Sequence, residues 1–191
     1  RQLRTLDEAA TNRYFALIDS VADTIDKCHD AKQKAALLLI RAVAYSDTQN
    51  NEAAIDDLTA VVQLDSTQTL AYWQRAVCQA RLNAFNASQG TDISMKTANV
   101  LSDLSVAIEN NPSAILYYNR GNVYVQRKDY LHAIEDYSKA IEMDSHLAEA
   151  YYNRGIARLA LKQQAQAVAD LSKAGELGLY AAYSIIKQNR K

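Results

Sequence analysis

The sequence is poor in residues that interrupt or cross-link a chain. It has one proline and five glycines in 191 residues, so few positions break a helix. Cys28 and Cys78 are its only cysteines and form no C-x-x-C pair, which predicts two free thiols. Only three histidines are present, and in Cys28-His29-Asp30 neighbours on a helix would diverge by about 100°. We therefore expect no bound metal.

The chain also lacks an excess of charge and a long apolar run. Its 21 basic and 22 acidic residues leave a net charge of -1, which disfavours nucleic acid and anionic membranes as partners. The apolar run 35–40 ends at Arg41, far short of the roughly 20 residues that span a bilayer, so we expect a soluble domain. The sequence starts at Arg1 rather than methionine. A cytoplasmic location and a cell-envelope location, with a leader or anchor removed, both stay open.

Catalytic signatures are missing as well. The sequence has no glycine-rich phosphate loop and no G-x-S-x-G elbow. We expect His132 and His146 to lack a catalytic partner. We expect neither enzymatic activity nor a cofactor.

What the chain does contain is a recurring pair of charged residues. Four arginines, each followed directly by alanine or glycine, are spaced 34, 45 and 34 residues apart. Further along the chain, each arginine has a corresponding aspartate. The aspartate follows after 16 residues in three cases and after 28 in the second, so about a dozen residues are inserted there. The recurrence predicts an ion pair within each helical hairpin, and a paired arginine is a poor ligand for nucleic acid. The pairs are Arg41–Asp57, Arg75–Asp103, Arg120–Asp136 and Arg154–Asp170.

The period and the apolar spacing together predict stacked helical hairpins. Apolar and small residues recur at i, i+3, i+4 and i+7, which places them on one stripe of a helix. One hairpin cannot bury both faces of its stripe, so at least about three units must stack. In the third unit the two stripes comprise Tyr117, Arg120, Gly121 and Tyr124, then Ala133, Tyr137, Ala140 and Ile141.

The units resemble tetratricopeptide repeats. Those starting AILYYNRGNVYVQRKDY and AEAYYNRGIARLALKQQ match that family's pattern of aromatic and small residues. The resemblance implies an all-α, right-handed superhelix of four hairpins, and the segment 174–186 resembles the closing segment of bacterial members. The expected divisions are an N-terminal cap or degenerate half-repeat 1–34, repeats 35–68, 69–113, 114–147 and 148–178, and a C-terminal capping helix 179–191.

The insertion falls in the second repeat, at about 86–97. Its residues NASQGTDISMKT are small and polar, so we expect an extended hairpin tip. Two interpretations stay open, a contact loop and a tolerated surface extension.

By the same resemblance, the first helix of each hairpin lines a partner-binding groove. Tyr118 and Tyr152 have an open alternative role, packing against adjacent hairpins or the terminal helix. The family's clamp for acidic chaperone termini is disfavoured, because its lysine positions hold leucine and aromatics, although Asn122 and Asn153 resemble its asparagines. The expected groove residues are Leu39, Trp73, Gln74, Tyr118, Asn119, Asn122, Tyr152 and Asn153.

These features favour a non-catalytic adaptor that binds a protein or peptide. Aromatic side chains give large contact areas, and amides can bond a peptide backbone. Two alternatives remain: a structural spacer or oligomerisation domain of a larger protein, and a regulatory domain of an upstream enzyme. Homo-oligomerisation stays open, and the partner's identity lies beyond the sequence.

Overall fold

The computed structural model describes residues 7–89 and 94–189, and within those ranges it contains ten α-helices and no strand. The chain divides into two compact units after Asn110. The helices of the first unit are α1 (Glu8–Lys27), α2 (Ala31–Asp47), α3 (Asn51–Leu64), α4 (Thr69–Ser88) and α5 (Ser94–Asn110). Those of the second are α6 (Ala114–Gln126), α7 (Tyr130–Met143), α8 (Ala148–Ala160), α9 (Gln164–Glu176) and α10 (Ala181–Gln188).

Side-chain caps define where several helices begin. Asp30 accepts a hydrogen bond from the backbone N–H of Gln33, so α2 starts at Ala31, four residues before the repeat start expected at Ala35. Asn50 caps α3 and Asp129 caps α7 in the same way. Each cap satisfies a backbone donor that the first turn of a helix leaves without an intrahelical acceptor.

The link between α1 and α2 corrects one assumption of the sequence argument. Cys28, His29 and Asp30 lie in this link and not on a helix, so divergence around a helix does not apply to them. The carboxylate of Asp30 is instead engaged in capping, and the Cys28 thiol donates to the Asp30 carbonyl oxygen. In residues 7–89 and 94–189, no group of three or more His, Cys, Asp or Glu side chains could hold a metal ion.

Consecutive helices of the first unit pack in antiparallel hairpins around an aliphatic core. The apolar face of α1, with Ile18, Val21 and Ile25 buried, lies against α2. The insertion lengthens the second hairpin: α4 has 20 residues, whereas α6 and α8 have 13 each. Much of the expected extended tip is therefore helical, up to Ser88 and again from Ser94; residues 90–93 lie outside the described ranges.

The second unit contains two further hairpins followed by α10. Glycines allow close approach between the paired helices: a Cβ at Gly121 would lie 2.7 Å from Cε1 of Tyr137. At Gly155 it would lie 2.8 Å from Cγ of Leu171. Helix α10 then packs on α9, burying Ala182 and Ile186.

No helix in the described part of the chain is long and apolar enough to cross a membrane.

Candidate protein-interaction site

Each arginine singled out by the sequence forms a two-pronged ion pair with its aspartate. In every pair Nε and Nη2 donate to the two carboxylate oxygens at 2.7–2.9 Å. The four aspartates are at most 7% exposed, so the pairs are largely withdrawn from solvent. This parallel geometry is the strongest that guanidinium and carboxylate form.

A tyrosine ring lies beneath each of these guanidinium groups. Arg75, Arg120 and Arg154 lie over the tyrosine three residues earlier, with 5.6–5.7 Å between Cζ and the ring centroid. In the first hairpin the residue three positions before Arg41 is Leu38, which has no aromatic ring. Arg41 lies over Tyr45 instead, with 5.9 Å between Cζ and the ring centroid. From the sequence, Tyr117 was placed only on a packing stripe. The recurring Tyr-x-x-Arg spacing is the signal that could have revealed the cation–π contact.

Arg75 and Arg154 also join successive hairpins. Arg75 donates from Nη1 to the Thr59 hydroxyl at 3.2 Å, and Arg154 donates to the Ser138 hydroxyl at 2.9 Å. Each acceptor stands two residues after the aspartate of the preceding hairpin. These guanidinium groups therefore hold one hairpin against the next, which leaves them little capacity to bind a partner.

The fourth hairpin contains a second arginine that sequence reasoning missed. Arg158 donates from Nη1 to Asp170 at 2.7 Å, so Asp170 binds two guanidinium groups. Arg158 stands four residues after Arg154, on the same face of α8, and that spacing was the available signal.

A hydrogen-bonded network joins α6, α7 and α8 within the second unit. The Tyr137 hydroxyl donates to Oδ1 of Asn122 at 2.7 Å, and Nδ2 of Asn153 donates to the same oxygen at 2.8 Å. Nδ2 of Asn153 also donates to the Tyr118 hydroxyl at 3.3 Å. Burial raises the pKa of the Tyr137 phenol, so its hydroxyl stays protonated and keeps donating.

The network fixes both amides and leaves one hydrogen-bonding group free on each. With the amide orientations of the structure, Oδ1 of Asn122 accepts both hydrogen bonds. Nδ2 of Asn122 and Oδ1 of Asn153 have no hydrogen-bonding partner among the described residues. One free donor and one free acceptor thus remain on the face formed by α6 and α8.

The other expected groove residues lie in varied surroundings. Tyr152 packs against the cluster that includes Leu171 and Ile186, a residue of the terminal helix. This contact corresponds to the alternative role, in which Tyr152 packs against an adjacent hairpin or the terminal helix. Leu39 packs on the core of the first unit, whereas Asn119 and Gln74 are half-buried. Trp73 is also half-buried, and its indole N–H is inaccessible and without a partner among the described residues.

Removing the Tyr137 hydroxyl tests whether the network stabilises the second unit. We expect Tyr137→Phe to lower the free energy of unfolding by about 1 kcal/mol, the usual net value of one hydrogen bond. The loss stays modest because Asn122 still accepts from Asn153. Urea unfolding followed by circular dichroism measures it. Tyr180→Phe, at a side chain that is 73% exposed, is the matched control and should change little; equal effects would contradict the network's role.

Comparison with known proteins agrees with this architecture. A family model described as TPR repeat matches residues 121–162. Human Tetratricopeptide repeat protein 13 is 30% identical over 111 residues, an alignment that covers 56% of this chain but only 12% of that protein. The crystal structure of MamA superposes with a TM-score of 0.77 at 23% identity, covering 94% of this chain and 99% of MamA. YrrB, described as a TPR protein with an unusual peptide-binding site, superposes with a TM-score of 0.68 at 16% identity, covering 91% of this chain and 87% of YrrB.

Residues 121–162 thus match the tetratricopeptide-repeat model, and the chain is similar over more than half of its length to curated tetratricopeptide-repeat proteins. Its all-α fold is the one shared by the solved tetratricopeptide-repeat structures that it resembles.

Proposed function

We propose that this chain is a non-catalytic scaffold that binds an extended segment of a partner protein. The observation that carries the proposal is the free donor and acceptor on the α6 and α8 face. Nδ2 of Asn122 can donate to a peptide carbonyl, and Oδ1 of Asn153 can accept from a peptide N–H. Main-chain groups are present in every extended peptide, so this face suits a protein ligand.

The rigidity of the amides favours this use. The hydrogen bonds from Tyr137 and Asn153 hold Asn122 in one orientation before any ligand arrives. A preoriented side chain loses less conformational entropy on binding than a free one. The aromatic ring of Tyr118, whose centroid lies 6.0 Å from that of Tyr137, adds contact area beside the amides.

The corresponding helices of the first unit offer a more apolar face. Ile40 on α2 is 46% exposed and Leu70 on α4 is 44% exposed. Trp73 lies three residues after Leu70, on the same stripe of α4. We propose that this face, with Leu39 and Gln74, contacts apolar side chains of the partner.

An isosteric substitution separates peptide binding from folding. Asn122→Asp keeps an oxygen for Tyr137 and Asn153 but replaces the free N–H donor with an oxygen. We expect peptides selected from a random display library on the native chain to bind this variant at least tenfold more weakly. The loss reflects one hydrogen bond and a new repulsion with the peptide carbonyl. Fluorescence polarisation of the labelled peptides gives both affinities.

The control is Asn99→Asp, which makes the same charge change at an exposed residue of α5. It should leave the affinity unchanged. Equal weakening by both variants would assign the effect to net charge, and no weakening by Asn122→Asp would reject the α6 and α8 face. Failure to select any peptide from the library would reject the peptide-binding function itself.

A further inference from the structure

A pocket lies in the first unit beside the lengthened helix α4. It has a volume of about 560 Å³ and lies between the α2–α3 turn and the C-terminal part of α4. Glu52 lines it from the start of α3, while Arg81, Leu82 and Phe85 line it from α4. Only the longer α4 brings Phe85 there, since α6 and α8 have 13 residues against its 20.

Phe85 is a prominent apolar group at the edge of this pocket. Its side chain is 62% exposed, and the partly buried Leu82 stands three residues earlier on the same helix. A protruding phenyl ring beside an open pocket forms a knob and a hole on one patch of surface. Such a patch is self-complementary under a twofold axis, because each copy can insert its knob into the hole of the other.

The charges at the pocket are complementary in the same sense. Arg81 donates to the Ser46 hydroxyl at 3.0 Å, which fixes its guanidinium beside the α2–α3 turn. The carboxylate of Glu52 has no hydrogen-bonding or ion-pair partner among the described residues, and Arg81 is not ion-paired there either. Under a twofold axis the Arg81 of one copy faces Glu52 of the other, twice per dimer.

We propose that this pocket is the interface of a twofold dimer of the chain. Phe85 of each copy fills the partner's pocket against Leu82, and Arg81 pairs with Glu52 across the interface. The large apolar ring supplies the anchor and the charged pairs set the register, as in interfaces organised around a buried aromatic residue. The inference goes beyond the scaffold function and does not depend on it.

Sedimentation velocity over a concentration series tests the proposal. The native chain should show a monomer–dimer equilibrium, and Phe85→Ala should weaken the dimer at least about tenfold. The matched control is Phe15→Ala on α1, the other phenylalanine of the chain, which is 51% exposed. Phe15→Ala should dimerise like the native chain. A native chain that stays monomeric would overturn the proposal and leave the pocket to a different partner.

A charge exchange tests the register. Arg81→Glu and Glu52→Arg each place like charges in both contacts of a homodimer, so each variant alone should stay largely monomeric. Their mixture restores both pairs in a heterodimer, which should form with at least tenfold higher affinity than either homodimer. Circular dichroism checks that both variants fold. If neither substitution weakens dimerisation, or if the mixture dimerises no more tightly than the two variants do separately, the proposed interface is wrong.

Discussion

Asp170→Ala is expected to cause the largest loss of stability of any single ion-pair variant. The substitution leaves the guanidinium groups of Arg154 and Arg158 without their shared carboxylate. Both arginine side chains are less than 20% exposed, so water replaces the lost contacts only in part. We expect the free energy of unfolding to fall by about 3 kcal/mol, as when one partner of a buried pair is removed. Urea unfolding followed by circular dichroism measures this loss.

Two comparisons make the measurement specific. Glu176→Ala removes a carboxylate from the same helix whose side chain is 60% exposed, and it should cost less than about 1 kcal/mol. Asp57→Ala removes the partner of one arginine only, so its cost should fall between the two. If Asp170→Ala and Glu176→Ala had equal effects, the buried pairs would not stabilise the hairpins.

Gly121→Ala is expected to destabilise the second unit despite the better helix propensity of alanine. The new Cβ would lie 2.7 Å from Cε1 and 2.9 Å from Cδ1 of Tyr137. Tyr137 is 1% exposed and packed on all sides, so its ring has little room to move. We expect a loss of about 1–3 kcal/mol, the usual cost of overpacking a core. Thermal and urea unfolding report it.

A second substitution should reduce this loss. The first two hairpins have alanine in place of the glycine, and leucine in place of Tyr137. In a Tyr137→Leu background, Gly121→Ala should therefore cost less than it does in the native chain. The same loss in both backgrounds would show that the Tyr137 ring is not what excludes a Cβ.

The helical repeat fold was accessible from sequence because its determinants are local. The 34-residue period and the small residues after each arginine specify helices and their close approach. The offset of 16 residues points to the same carboxylate that Arg41, Arg120 and Arg154 bind in the structure. In the second repeat the offset of 28 still identifies Asp103, because the insertion leaves α5 to return alongside α4.

The polar network of Asn122, Tyr137 and Asn153 could not be predicted from the sequence in the same way. Asn122 contacts Tyr137 at a separation of 15 residues and Asn153 at 31, so the contacts depend on how three helices pack. A pattern read along one helix places Asn122 and Asn153 on a face but does not show which amide group stays free. The pocket beside Phe85 likewise lies next to a helix that continues to Ser88, whereas the sequence predicted only an extended hairpin tip at about residues 86–97.

The most direct test of the scaffold proposal maps a bound peptide onto the amides of the native chain. A peptide selected from the random display library would be titrated into the ¹⁵N-labelled protein, and both backbone and side-chain amide shifts would be followed. The proposal predicts the largest shifts on α6 and α8, including the side-chain amides of Asn122 and Asn153. Shifts confined to α7 and α9 would contradict it.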